Sequence, residues 1–382
     1  MTSPGGAAAP IGSDPGLDLA HRVAALVARR SIDPAWWSID ANVERALRLA
    51  TEHGVECIVA DRLNRLAPRA ATLRTARLGV VREALRQREL AIVLTRLTRA
   101  GIRPLLFKGA ALACTHYPEP HWRSRVDADL LVRRRDIDQV APILEERGYR
   151  RPARVVGDLV SPQMVFQRTD SRGVRHVLDV HWQVASPRVF ADLLSYDEIE
   201  AEAVPVPALG AHARAAAATH ALVLACTHRI AHHDDWLRLI WLYDIHLLVG
   251  GMSPADLDRF AELASARQMR TVCARSLMLA SRWLGTELPP RLVDRLEVVE
   301  PDGAREATAE FVGGGSARLD VLRSDLRALP RWRDRLRLLS QHLFPSPEYI
   351  RARYGTTTHL WLPFLYGDRI VRGACRWLRR TG

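Results

Sequence analysis

The change of hydrophobic period at Gly101 constrains this chain more than any other feature. From about Leu17 to Ala100, apolar residues recur at three- and four-residue spacing in "LAHRVAALVARR", "VERALRLATEHGVECIVADRLNRL" and "LGVVREALRQRELAIVLTRLTRAG", the pattern of amphipathic helices. Gly101 supplies a C-cap for the last of them. The spacing then shortens. "IRPLLF" is a short β-capable run, "GAALACTHY" opens a helix, "RVDADLLV" alternates, and "DIDQVAPILEERGY" is an amphipathic helix with an acidic first turn. Strand, helix, strand, helix in quick succession is a compact α/β unit.

"QMVFQRT" and "VRHVLDVHWQV" follow, separated by the turn chemistry of "DSRG", which predicts a β-hairpin. "VPVPALG" reads as a linker, and helical spacing returns from about Ala211 to the end. The expected fold is therefore α+β, a small mixed sheet flanked by helical regions. Its expected divisions are a disordered tail over 1–16, N-terminal helices over 17–100, the α/β core over 101–205 and C-terminal helices over 206–382.

The formal net charge of +12 favours phosphate-bearing or polyanionic partners. However, the arginines alternate with acids, as in "RSDLRALPRWRDRLRLL", so solvated helix faces account for most of them and a nucleic-acid partner is not expected. Cys57, Cys114, Cys226, Cys273 and Cys375 are odd in number and never form C-x-x-C, which reads as thiols in a reducing compartment. The N-terminal stretch lacks the basic and apolar regions of a signal peptide. No run approaches the roughly 18 apolar residues of a membrane span. A cytoplasmic protein without a membrane partner is expected.

The chemistry is concentrated in the α/β unit. Asp127 and Asp129 in "RVDADLLV" would share one strand face, roughly 6 to 7 Å apart. Two such carboxylates repel unless a cation lies between them, and oxygen ligands select Mg²⁺ or Mn²⁺. An isolated D-x-D is more often a capped strand end, but Asp179 in "HVLDVHWQV" is a third acid, placed mid-strand where an unpaired charge is costly. His181 shares its face. Upstream, "LLFKGAAL" carries the chain's single lysine, Lys108. A strand running through Lys108 and Gly109 into a helix directs backbone amides at the turn, a ready anion site. Arg125, two residues before Asp127, would reach the same face, with a surface ion pair as the competing reading. His228, His232 and His233 in "THRIAHHDDW" lack a further ligand that would complete a zinc site. They read as part of a helix on the cleft, with His232 and Asp244 as polar lining and Trp236 and Trp241 as core.

"LLFKGAALACTHYPEPHWRSRVDADLLV", followed by "ILEERGYR" and "LDVHWQV", resembles the uncharacterised nucleotidyltransferase family of the DNA polymerase β-like superfamily. The likeness extends through "LATEHGV", "THRIAHHDDWLRLIWLYDIHLLV" and "FPSPEYIRARYG", most of residues 40 to 360. It implies a Mg²⁺-dependent transfer of a nucleoside monophosphate, AMP from ATP in the leading case, to a hydroxyl of a small molecule, peptide or protein. Asp127 and Asp129 would hold two metal ions. Asp179 would bind the catalytic metal and help deprotonate the acceptor. Gly109, Ala110 and the amides beyond would cradle the β- and γ-phosphates. The wider superfamily carries Gly-Ser at that turn; Gly109-Ala110 offers no hydroxyl, which makes Lys108 the substitute. Two other readings stay open: a kinase on the same metal site, and a non-catalytic nucleotide- or RNA-binding module. Removal of Asp127 or Asp129 is expected to cost little stability, because each relieves repulsion on the other.

Overall fold

In a computed structural model, residues 15–153, 157, 159–297, 306–315, 318–358 and 360–378 are described. Residues 1–14 of the expected tail lie outside them; Pro15 and Gly16 open the first helix. Five helices come first: α1 (Pro15–Val27), α2 (Pro34–Ser38), α3 (Asp40–Glu52), α4 (Glu56–Leu66) and α5 (Ala70–Arg99). In α5, Leu90, Val93, Leu94 and Leu97 recur at helical spacing and are buried. That helix stops at Gly101, where φ is +84°. The Ile102 amide donates back to the Leu97 carbonyl at 3.0 Å, the closing bond of a Schellman cap.

The α/β unit then forms as β1 (Leu105–Phe107), α6 (Lys108–Thr115), β2 (Ala128–Leu131), α7 (Ile137–Glu146), β3 (Gln163–Thr169) and β4 (Arg175–His181). The β3–β4 hairpin turns where Asp170 accepts from the amides of Arg172 and Val174, both at 2.9 Å, so the aspartate side chain shapes the turn. After α8 (Arg188–Ala191) and α9 (Tyr196–Glu202) come β5 (Val204–Pro205) and β6 (Arg214–Ala215). The stretch read as a linker thus contributes to the sheet; strands of two residues carry no period to read. The mixed sheet has the order β3-β4-β2-β1-β6-β5. Its centre pairs β2 parallel with β4 and antiparallel with β1.

Register gives the sheet two unlike faces. Leu106, Leu130, Val180, Phe166 and Leu178 pack with Leu90, Val93, Leu94 and Leu97 of α5 and Val140 and Leu144 of α7. On the other face, Leu105, Phe107 and Leu131 join a larger core with α10 (Ala218–His233) and α11 (Leu239–Gly251). The remaining helices are α12 (Pro254–Ala266), α13 (Arg270–Leu284), α14 (Pro290–Leu296), α15 (Arg318–Ala328), α16 (Trp332–Leu343), α17 (Pro347–Tyr354) and α18 (Leu362–Leu378). Among the described residues, no helix is long and apolar enough to cross a membrane.

Candidate active site

Strand β1 ends at Phe107, and Lys108 turns the chain with φ at +56°. That left-handed conformation costs a residue with a side chain about 1–3 kcal/mol, so the surroundings must hold it. They do so through charge: the Lys108 ammonium donates to Asp129 Oδ1 at 2.8 Å and lies 4.8 Å from the centre of the Phe107 ring. Both side chains of the pair are 10% exposed. Gly109 is fixed by close approach, since a Cβ there would sit 3.1 Å from the Arg123 guanidinium. Arg123 in turn donates to both Asp244 oxygens at 2.8 Å, and the Tyr117 hydroxyl donates to Asp244 at 2.7 Å. This buried network joins the start of α6 to α11.

Asp129 stands opposite Asp179 in the parallel β2–β4 register, and Phe107 stands opposite Asp129 on the other side. His181 Nε2 is 3.0 Å from Asp129 Oδ1, and its ring meets Phe107 edge-on at 5.0 Å. Ligand atoms of Asp129, Asp179 and His181 all lie within 4.8 Å of one another. Burial would raise the Asp129 carboxyl, but the Lys108 ammonium and the His181 bond outweigh it and hold the group well below the usual carboxylate range. Burial, then the Lys108 charge, lowers His181 to about 4, so the imidazole is neutral at physiological pH.

These residues fit a divalent cation. Two carboxylates and a neutral imidazole suit Mg²⁺, Mn²⁺ or a softer first-row ion. The Lys108 ammonium already provides positive charge on Asp129, and His181 Nδ1 is buried without a partner.

Asp127 differs from Asp129. It precedes the first residue of β2, is only half-buried, and lies outside the three-residue ligand group. Burial first and Asp129 second raise its carboxyl, against Lys108, Arg123 and Arg125. The two acids are therefore unequal in what their removal would do: Asp129 is held by two partners, so its loss strands a buried ammonium. Arg125 is drawn elsewhere, with Nη2 on Glu83 at 3.0 Å and Nη1 on the Asp127 carbonyl at 2.9 Å. Strand β2 begins only at Ala128, so the alternation of its faces does not extend back to Arg125. Gly109 and Ala110 are buried in the first turn of α6.

Asp244 serves Arg123, and His228 shares with Lys108, Arg123, Trp241 and Asp244 a cavity of about 20 Å³, room for about one water and not for a base. The Arg123–Asp244–Tyr117 network is what spacing alone missed. Its signal was a lone acid in the otherwise apolar helix "LIWLYDIHLLV".

No curated protein matches the chain. Residues 40–285, the span that carries the Lys108 turn, the acids of β2 and β4 and the histidines of α10, match the family described as uncharacterised nucleotidyltransferase. The chain therefore belongs to that family, transferases of phosphorus-containing groups.

Proposed function

We propose that this nucleotidyltransferase moves AMP from ATP, with Mg²⁺ or Mn²⁺, to a hydroxyl of a small molecule, peptide or protein. The observation that carries the reading is the convergence of Asp129, Asp179 and His181 within 4.8 Å beside the Lys108 turn, in a chain of this family. In the reaction the acceptor oxygen attacks the α-phosphorus, the bond to the β-phosphate oxygen breaks, and pyrophosphate leaves. Asp129, Asp179 and His181 would hold the metal, with Asp127 at their margin. The metal, when bound, supplies charge neutralisation on the triphosphate and lowers the pKa of the attacking hydroxyl.

The protein residues do the rest. Asp179 takes the acceptor's proton. Lys108 offers a compact ammonium to a phosphate oxygen in a space that a planar guanidinium would overfill. The amides of Gly109 and Ala110, in the first turn of α6, face the same anion. Arg125, through Glu83 and the Asp127 carbonyl, steadies the approach to β2. The same reading keeps 17–100 and 206–382 as helical regions around a 101–205 core, with β6 lent to the core's sheet from the second of them. It also places the protein in the cytoplasm, where Cys57, Cys114, Cys226 and Cys273 stay free thiols.

The test is incubation with α-labelled or γ-labelled ATP, Mg²⁺ and a pooled acceptor source of metabolites and peptides. Label carried over from the α position with release of pyrophosphate is the expected result. Transfer from the γ position alone would make the protein a kinase, and tight RNA binding without turnover of any NTP would make it a binding module.

A further inference from the structure

Helix α10 packs on the Phe107 side of the sheet and ends in the sequence "THRIAHH", and three of its imidazoles have a ring nitrogen without a partner: His220 near its start, and His228 and His232 in this last stretch. His228 Nδ1 and His232 Nε2 are both buried without a partner. A buried polar atom without a bond is a standing cost, and native folds leave few of them unexplained. Here two lie one helical turn apart.

The rings sit among other aromatic rings. The His228 ring centre lies 5.4 Å from that of His232, 4.8 Å from that of His233 and 5.6 Å from that of Trp241. His233 stacks on Trp241 at 4.1 Å. Immediately beyond, Asp234 and Asp235 both take left-handed backbone, φ +51° and +57°. Buried Asp235 pairs with Arg229 and with Arg275 at 3.2 Å, and accepts from the Gly313 amide at 2.8 Å. The "DD" of "HHDD" therefore pins the end of the helix that presents the "HH".

Lys108, which holds Asp129, is the link between this end of α10 and the acids of the sheet. His228 and Lys108 line one cavity. Burial first, then the Lys108 ammonium, holds both His228 and His232 well below the ordinary imidazole range, and His181 acts on His232 as well. The ligand that would satisfy them is not a second metal ion, because neither histidine joins a group of three ligating side chains among the described residues. Neutral imidazole N–H groups beside an ammonium and the N-terminal turn of α6 are donors for anionic oxygens.

We propose that His228 and His232 donate to a terminal oxygen of the nucleotide's triphosphate from the helical side, opposite the strand-borne acids; the cavity of about 20 Å³ between His228 and Lys108 admits one such oxygen, and the rest of the triphosphate stays outside it. The proposal rests on the nucleotidyl-transfer reading. It makes the "THRIAHHDDW" segment a preorganised phosphate clamp, held in place at the expense of stability in the free protein.

Calorimetric titration of the full chain with Mg²⁺-tripolyphosphate and, separately, with adenosine tests it. His232→Ala and the gentler His232→Gln and His228→Asn should each weaken tripolyphosphate at least tenfold and leave adenosine unchanged. In thermal melts without ligand, His232→Leu should unfold at or above the wild-type temperature, since it removes an unsatisfied nitrogen. Wild-type tripolyphosphate affinity in the histidine variants overturns the proposal, as would selective loss of adenosine; in that case a trapped water or packing explains the rings. If the wild-type protein binds neither ATP nor tripolyphosphate, the proposed function falls as well.

Discussion

The two faces of the central sheet are made by the same short strands and follow opposite rules. Leu106, Leu130 and Val180 alternate with Phe107, Asp129 and Asp179 along β1, β2 and β4. The first set is buried against α5 and α7 with no polar group among its members. The second sets the Asp129 carboxylate against an ammonium and a neutral imidazole, with Asp179 opposite it in register. One face is bound by area removed from water. On the other, stability depends on every charge keeping its partner. The contrast teaches that the acids of β2 and β4 are held by a costly arrangement that packing alone would not select, which fits the general expectation that strain and unpaired polarity gather at working sites.

Substitutions that exchange the rules of the two faces sharpen this comparison. Asp129→Ala should have the largest effect. It leaves Lys108 buried and unpaired at a loss of about 3–5 kcal/mol, read by denaturant unfolding, and it should abolish nucleotide transfer. Leu130→Ala, one residue along and on the opposite face, should cost a similar or slightly smaller 2–5 kcal/mol, roughly, with turnover per folded molecule unchanged. If Leu130→Ala impaired chemistry as strongly as stability, the division between the faces would be lost. Lys108→Arg keeps the charge but not the compact shape, and steady-state kinetics should show roughly tenfold or greater loss of turnover, about 1.4 kcal/mol; wild-type turnover would reduce the single lysine to an accident of composition.

Asp127→Asn should have the smallest effect on stability. The folded protein holds the Asp127 proton more tightly than the unfolded chain does, so this carboxyl takes stability away as pH rises through the carboxylate range. The asparagine variant should therefore melt no lower than wild type at pH 7. Asp129 has the opposite sign. Its folded carboxyl titrates below the unfolded value, so its contribution is complete above pH of about 4 and is lost on acidification. Melting curves across pH 3 to 7 for the two variants should diverge in this sense.

Much of this contrast was legible in the amino-acid sequence. The D-x-D run, the acid in the middle of "HVLDVHW" and the glycine turn after a lone lysine mark β2, β4 and the start of α6 without any contact being known. The hairpin followed from "DSRG" because a side chain, Asp170, makes that turn. What could not be read was long-range pairing. Nothing local says that Arg125 meets Glu83, 42 residues away, or that Arg123 meets Asp244, 121 residues away. The inequality of Asp127 and Asp129 also depends on partners, Lys108 and His181, that only the folded sheet brings together. The strands β5 and β6 escaped for a simpler reason: two residues cannot show alternation.

A metal-binding pair of Asp129 and Asp179 across β2 and β4 is the core of the proposed function, and titration with Mn²⁺ followed by electron paramagnetic resonance tests it most directly. Wild-type protein and Leu130→Ala should bind the ion alike. Asp179→Asn should bind it at least about tenfold more weakly, with the fold intact by circular dichroism. Equal Mn²⁺ affinity in the wild-type and Asp179→Asn proteins would contradict a metal site between these strands.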